Sequence, residues 1–220
     1  MFPLRDVIPS RTTPVVTILI IVLNVLAFFY EQSFDQQGLD VFLRTWGFVP
    51  AVFAWPTIFT SMFLHGGLWH LAGNMWSFWI FGDNVEDRLG HGRYVAFYLL
   101  CGVIATVAHA LSEPGSLVPT IGASGAIAGI MGAYFVLYPH SRVLTLIPWI
   151  FIQVVELPAI ALLGFWFLMQ LFSAGAIAVT ASTHGGGVAF MAHVAGFAGG
   201  ALGIFVFRKR QLDPWAGQAY

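Results

Sequence analysis

Two residues able to act as a nucleophile and its general base, Ser124 and His193, both lie inside long apolar stretches of this chain. A polar side chain in an apolar layer costs free energy, so chemistry is the first reason to consider for its presence. Ser124 stands in Gly122-Ala123-Ser124-Gly125, where small neighbours leave room for a backbone or a substrate to reach the hydroxyl. His193 stands in Ala192-His193-Val194-Ala195-Gly196, and Gly200 completes a Gly-x-x-x-Gly spacing. Such glycines permit close helix approach, which could bring the imidazole within hydrogen-bond reach of Ser124. Each motif also has a plainer reading. Small residues abound where membrane helices touch, and a lone intramembrane histidine can be a buried hydrogen-bonding group or a proton relay.

His70 and Asn74 are one helical turn apart and therefore share a face. Two neutral donors on one face suit an oxyanion better than a metal. His65, five residues before His70, is rotated well away from it. A zinc site from His65, His70 and His193 is conceivable, but no Asp or Glu falls inside an apolar segment and no metalloprotease spacing is present. No metal and no cofactor are expected. Hydrolases commonly orient their histidine with an acid, and here all ten acidic residues read as loop, tail or interface. A Ser124 and His193 dyad is the form of the triad logic that remains.

The residues must be positioned by six apolar segments, Val15 to Tyr30, Leu64 to Phe81, Tyr94 to Leu111, Ile121 to Leu137, Pro158 to Val179 and Val188 to Phe207. Their lengths suit helices crossing an apolar layer roughly 30 Å thick, some tilted or short. With 58% hydrophobic and 9% charged residues the composition lies outside the soluble globular range. The expectation is an all-α polytopic membrane protein, residues 1–220 forming one domain of six transmembrane helices. The first segment follows Arg5 and Arg11 and ends without a small-residue cleavage pattern, which reads as a retained signal anchor. Cys101 is the only cysteine, so no internal disulfide can form.

Lys and Arg in short loops set orientation. With six spans, Arg5, Arg11, Arg88, Arg93, Arg142, Arg208, Lys209 and Arg210 fall on one side and Arg44 alone on the other, which predicts both termini in the cytoplasm. The second, fourth and sixth spans then enter from outside, and His65, His70, Asn74, Ser124 and His193 all come early in them. One outer layer holds all five. Between the spans, Glu31 to Thr57 reads as an aromatic outer loop in the interface and Gly82 to Gly92 as a short charged inner turn. Ser112 to Thr120 is an outer connection, Pro139 to Leu157 lies along the inner face, and Ala181 to Gly187 is a flexible outer loop. No basic patch points to nucleic acid.

The motif set His65-Gly66-Gly67-Leu68-Trp69-His70-Leu71-Ala72-Gly73-Asn74, Gly122-Ala123-Ser124-Gly125 and Ala192-His193-Val194-Ala195-Gly196 resembles the rhomboid family of intramembrane serine proteases, in order and in placement on the helices. Phe81-Gly82-Asp83-Asn84-Val85-Glu86-Asp87 also looks like that family. The resemblance implies that Ser124 is the nucleophile, His193 the base, and His70, Asn74 and the Ser124 N–H the oxyanion donors. It implies a structural role for His65, support from Gly122, Gly125 and Gly196, and transmembrane proteins in the lipid bilayer as substrates. Two departures stand out. Ala128 occupies a position where some members set an aromatic ring against the histidine, and Arg44-Thr45-Trp46 replaces an adjacent Trp-Arg pair. The expected location is a prokaryotic plasma membrane; the sequence does not give the oligomeric state. The alternatives are a noncatalytic rhomboid-like binder of transmembrane helices and a transporter, whose pathway would draw on Gln170 and Asn24.

Overall fold

The computed structural model describes residues 1–148, 152–180 and 189–208. Each of the six apolar segments overlaps a helix, although Leu64 to Gly67 and Ile121 to Ala123 precede theirs: α1 (Val15–Glu31), α4 (Leu68–Leu89), α5 (His91–Ser112), α6 (Ser124–Leu137), α7 (Ala159–Thr180) and α8 (Phe190–Phe207). Two further helices, α2 (Gln36–Trp46) and α3 (Trp55–Thr60), lie within the long connection after α1. Among the described residues, His91–Ser112, Ala159–Ala176 and Phe190–Phe207 are long and apolar enough to cross a membrane, while α1 and α6 are apolar but shorter.

The all-α expectation is corrected by an antiparallel sheet, β1 (Phe2–Asp6), β2 (Arg142–Pro148) and β3 (Ile152–Pro158), in the order β1-β2-β3. The hairpin occupies most of the segment expected to lie flat along the inner face. Its strands carry Val143, Thr145 and Ile147 in one and Ile152, Val154 and Val155 in the other, β-branched residues that fit a pleated surface better than a helix turn. The supposed inner turn Gly82 to Gly92 is corrected as well. α4 runs on to Leu89, and Gly90, at φ 77°, makes the break before α5. Ala181 to Gly187 lies outside the described residues.

α6 is the axis of the bundle, with every residue from Gly125 to Tyr134 buried. Its 14 residues span roughly 21 Å, short of an apolar layer of about 30 Å. Ser124 is the first residue of this short helix. α6 packs on α8 with almost no side chain between them. A Cβ added at Gly196 would overlap the Gly125 carbonyl, one at Gly200 the Gly129 carbonyl, and one at Gly132 the Phe197 carbonyl. The two Gly-x-x-x-Gly faces thus set a backbone-to-backbone seam, which fixes the register of His193 against Ser124.

At the opposite end, carboxylates on α4 tie down the chain that leads into α1. α1 begins after Pro14 without a side-chain cap of its own. Glu86, only 1% exposed, supplies the cap from a neighbouring helix. It accepts from Val16 N–H at 2.9 Å, Thr17 N–H at 2.8 Å and Thr17 Oγ1 at 2.7 Å. A carboxylate is well matched to free N–H groups at a helix start. Asp87 accepts from Arg11 N–H at 2.6 Å and Thr12 N–H at 3.0 Å. Asp6 accepts from the Tyr134 hydroxyl at 2.6 Å and Asn84 Nδ2 at 3.0 Å, and partial burial pushes its carboxyl up to about 6. Arg93 Nη1 reaches the Phe207 carbonyl at 3.5 Å, so the last turn of α8 is at this end too.

Candidate active site

Ser124 opens α6, where the first N–H groups have no acceptor within the helix. The chain reaches it through Gly122, at φ 125°, a region that favours glycine. That approach is pinned by backbone bonds, Phe48 N–H to the Thr120 carbonyl at 3.1 Å, Thr120 N–H to the Phe48 carbonyl at 2.7 Å and Gly122 N–H to the Ser61 carbonyl at 2.9 Å. The hydroxyl is therefore held on a fixed backbone. Its Oγ lies 2.8 Å from Nε2 of His193, near the start of α8, at hydrogen-bond distance. The other ring nitrogen, Nδ1, lies 2.7 Å from Oε1 of Gln170 on α7.

His70 and Asn74 come from the first two turns of α4 and border the same place. A Cβ at Gly122 would stand 2.9 Å from His70 Nε2 and 3.7 Å from Asn74 Nδ2. Gly66 N–H donates to His70 Nδ1 at 3.4 Å. With Nδ1 accepting, the proton of a neutral imidazole is on Nε2, facing the site as a donor. Asn74 is 8% exposed and its Nδ2 is buried without a hydrogen-bond partner. An unsatisfied buried donor is costly and calls for an explanation. A developing negative charge on a substrate would supply the missing acceptor.

His65 is not part of this cluster. Its ring packs edge-on against His70, centroids 5.0 Å apart, and its backbone N–H donates to the Glu31 carboxylate at 3.2 and 3.3 Å. It supports the Gly66-Gly67 turn from which α4 starts. Gly125 and Gly196 meet in the α6 and α8 seam, and Gly122 makes room for His70. Among the described residues no group of three His, Cys, Asp or Glu is arranged to hold a metal ion.

Ser124, His193, His70 and Asn74 line one cavity of about 1210 Å³, with Trp69 at its wall and Thr106, His109 and Ser112 of α5 opposite. It is large enough to admit an extended peptide segment together with water. Sequence reasoning did not single out His109, and it read Gln170 only as a possible transport residue. Gln170 was visible as a polar residue in an apolar helix, but its pairing with His193 depends on the rotation of α7. The aromatic ring missing at Ala128 has a counterpart on α7, where Trp166 stands 6.0 Å from the imidazole.

The family model described as Rhomboid domain matches residues 52–210, more than half of the chain. Among curated proteins the chain is 35% identical over 124 residues to Rhomboid protease GluP of Bacillus subtilis (strain 168), covering 54% of this chain and 24% of that protein. It is 36% identical over 80 residues to Putative rhomboid protease YdcA of the same organism, covering 36% of this chain and 40% of that protein. It is 34% identical over 84 residues to the human Presenilin-associated rhomboid-like protein, mitochondrial, covering 37% of this chain and 22% of that protein. The matched regions thus span well under half the length of each of these relatives.

Proposed function

Because this chain belongs to the rhomboid family, we propose that it is an intramembrane serine endopeptidase that cuts transmembrane segments of other membrane proteins near the outer face. The reading rests on one observation above all, the 2.8 Å contact between Ser124 Oγ and His193 Nε2 beside an unsatisfied Asn74 donor. In this mechanism His193 Nε2 takes the Ser124 proton as Oγ bonds to the scissile carbonyl carbon. The carbonyl oxygen becomes an oxyanion held by Asn74 Nδ2–H, His70 Nε2–H and the Ser124 N–H. Its collapse breaks the C–N bond, and the leaving nitrogen takes the proton from His193. A water from the cavity, deprotonated by His193, then attacks the acyl ester and frees Ser124. The base needs no carboxylate partner for these transfers.

A peptide carbonyl inside a transmembrane helix is already hydrogen-bonded and sheathed by side chains, so attack requires local unwinding. Substrates with Gly or Pro near the outer end of the helix and a small residue before the scissile bond are favoured. Replacing those helix breakers by Leu, or enlarging the residue before the cut, should slow cleavage of a verified membrane-inserted substrate. Unchanged turnover for both would place selection outside the site. With six crossings, the side bias of Lys and Arg supports both termini in the cytoplasm of a prokaryotic plasma membrane.

The test of the activity is cleavage of a transmembrane substrate by the purified protein in lipid vesicles. Turnover that disappears in Ser124→Ala supports the proposal. A folded wild-type protein that binds transmembrane helices and never cuts them would instead be a noncatalytic binder.

A further inference from the structure

We propose that Gln170 is the positioning residue of His193, its amide carbonyl holding the imidazole in the one neutral tautomer that can accept the Ser124 proton. The inference rests on the dyad reading above. A neutral imidazole carries one ring proton, and Nε2 can act as a base toward Ser124 only when that proton is on Nδ1. Nδ1–H then needs an acceptor, and the Gln170 Oε1 at 2.7 Å is in place to be one.

His193 gets little orientation from its own helix. It lies three residues past Phe190, the first residue of α8, the helix has no side-chain cap, and its N–H to the Ala189 carbonyl is a long 3.3 Å. Orientation comes from α7, where Trp166 and Gln170, one turn apart, present a ring and an acceptor to the same imidazole. An amide also fits its surroundings. Leu168, Met169, Leu171 and Phe172 around it are exposed apolar side chains of a membrane-capable helix, where a carboxylate would carry a heavy desolvation cost. Gln170 selects the tautomer without adding charge.

Two substitutions of similar length separate positioning from packing. Gln170→Met keeps the volume and removes the acceptor. Gln170→Glu keeps an acceptor oxygen and adds a charge. Positioning predicts that Gln170→Met lowers kcat by about tenfold or more with KM changed less than about twofold. It also predicts that Gln170→Glu keeps more of kcat than Gln170→Met while melting at a lower temperature. A packing role gives the opposite order, Met above Glu, and that order overturns the proposal. The independent readout is the ¹⁵N spectrum of the His193 ring in the detergent-solubilised full chain at alkaline pH. A wild-type Nδ1–H signal that is lost or mixed in Gln170→Met supports the assignment; an Nε2–H signal in wild type refutes it. Because the spectrum needs no turnover, it decides the role of Gln170 even for a protein that fails to cleave.

Discussion

The two ends of this bundle treat their polar groups in opposite ways. At the end that holds Glu86, Asp87 and Asp6, carboxylates are met by donors from another part of the chain: Val16, Thr17, Arg11 and Thr12 for the first two, Tyr134 and Asn84 for the third. At the other end Ser124, His193, His70 and Asn74 carry no carboxylate, they border a cavity, and Asn74 keeps a buried donor without an acceptor. Paired groups hold the fold together. An unpaired donor beside the cavity is what the proposed oxyanion role needs, and on that reading the difference separates stability from activity within one small molecule.

Substitutions at the two ends should therefore move different quantities. The largest effect is expected from His193→Ala, which removes the base and should abolish measurable turnover while the thermal unfolding of the purified protein changes little. Next come the oxyanion donors. Asn74→Ala or His70→Ala alone should lower kcat by roughly 10²-fold, since the remaining donors persist. For Asn74→Ala the comparison is sharper still: deleting an orphaned donor should leave the melting temperature unchanged or raise it. A variant that lost stability in proportion to activity would dissolve the distinction between the two ends.

Glu86→Ala should show the reverse pattern. It strands the Val16 and Thr17 N–H groups at the start of α1 and removes the contacts of Glu86 to the Thr17 hydroxyl and His91 Nδ1, at a cost of about 2 to 4 kcal/mol in stability. The fraction that stays folded should cleave with a near-normal kcat, read by active-site titration. The smallest effect is expected at Asp6. Its carboxyl sits at about 6 because burial favours the protonated form, so the folded state binds a proton that the unfolded chain releases near pH 4. The stability that Asp6 confers is fully present below about pH 4 and is lost as pH rises through about 6. Asp6→Asn, which cannot ionise, should flatten that part of the melting temperature against pH curve.

Much of the candidate site was legible before the fold. Periodicity is irrelevant to a fully apolar helix, yet segment length placed six helices, and small residues flanking Ser124 and His193 marked the seam that joins them. The hairpin β2 and β3 was not legible, because a short run of β-branched residues reads equally well as an interfacial segment or a strand. Glu86 was taken for part of a solvated turn because four charges lie close together in Asp83 to Arg88. Only the approach of α1 shows that its carboxylate is buried. Gln170 was seen as polar but not paired with His193, since contact across two helices depends on rotation angles that a sequence does not state.

A serine protease site at the cavity end is tested most directly by covalent labelling of the purified wild-type chain with a fluorophosphonate, the modified residue being located by mass spectrometry. The expected result is a single adduct on Ser124, lost in Ser124→Ala, sharply slowed in His193→Ala and unaffected in Glu86→Ala that remains folded. A wild-type protein that is folded and binds transmembrane substrates yet takes no label on Ser124 would contradict the account.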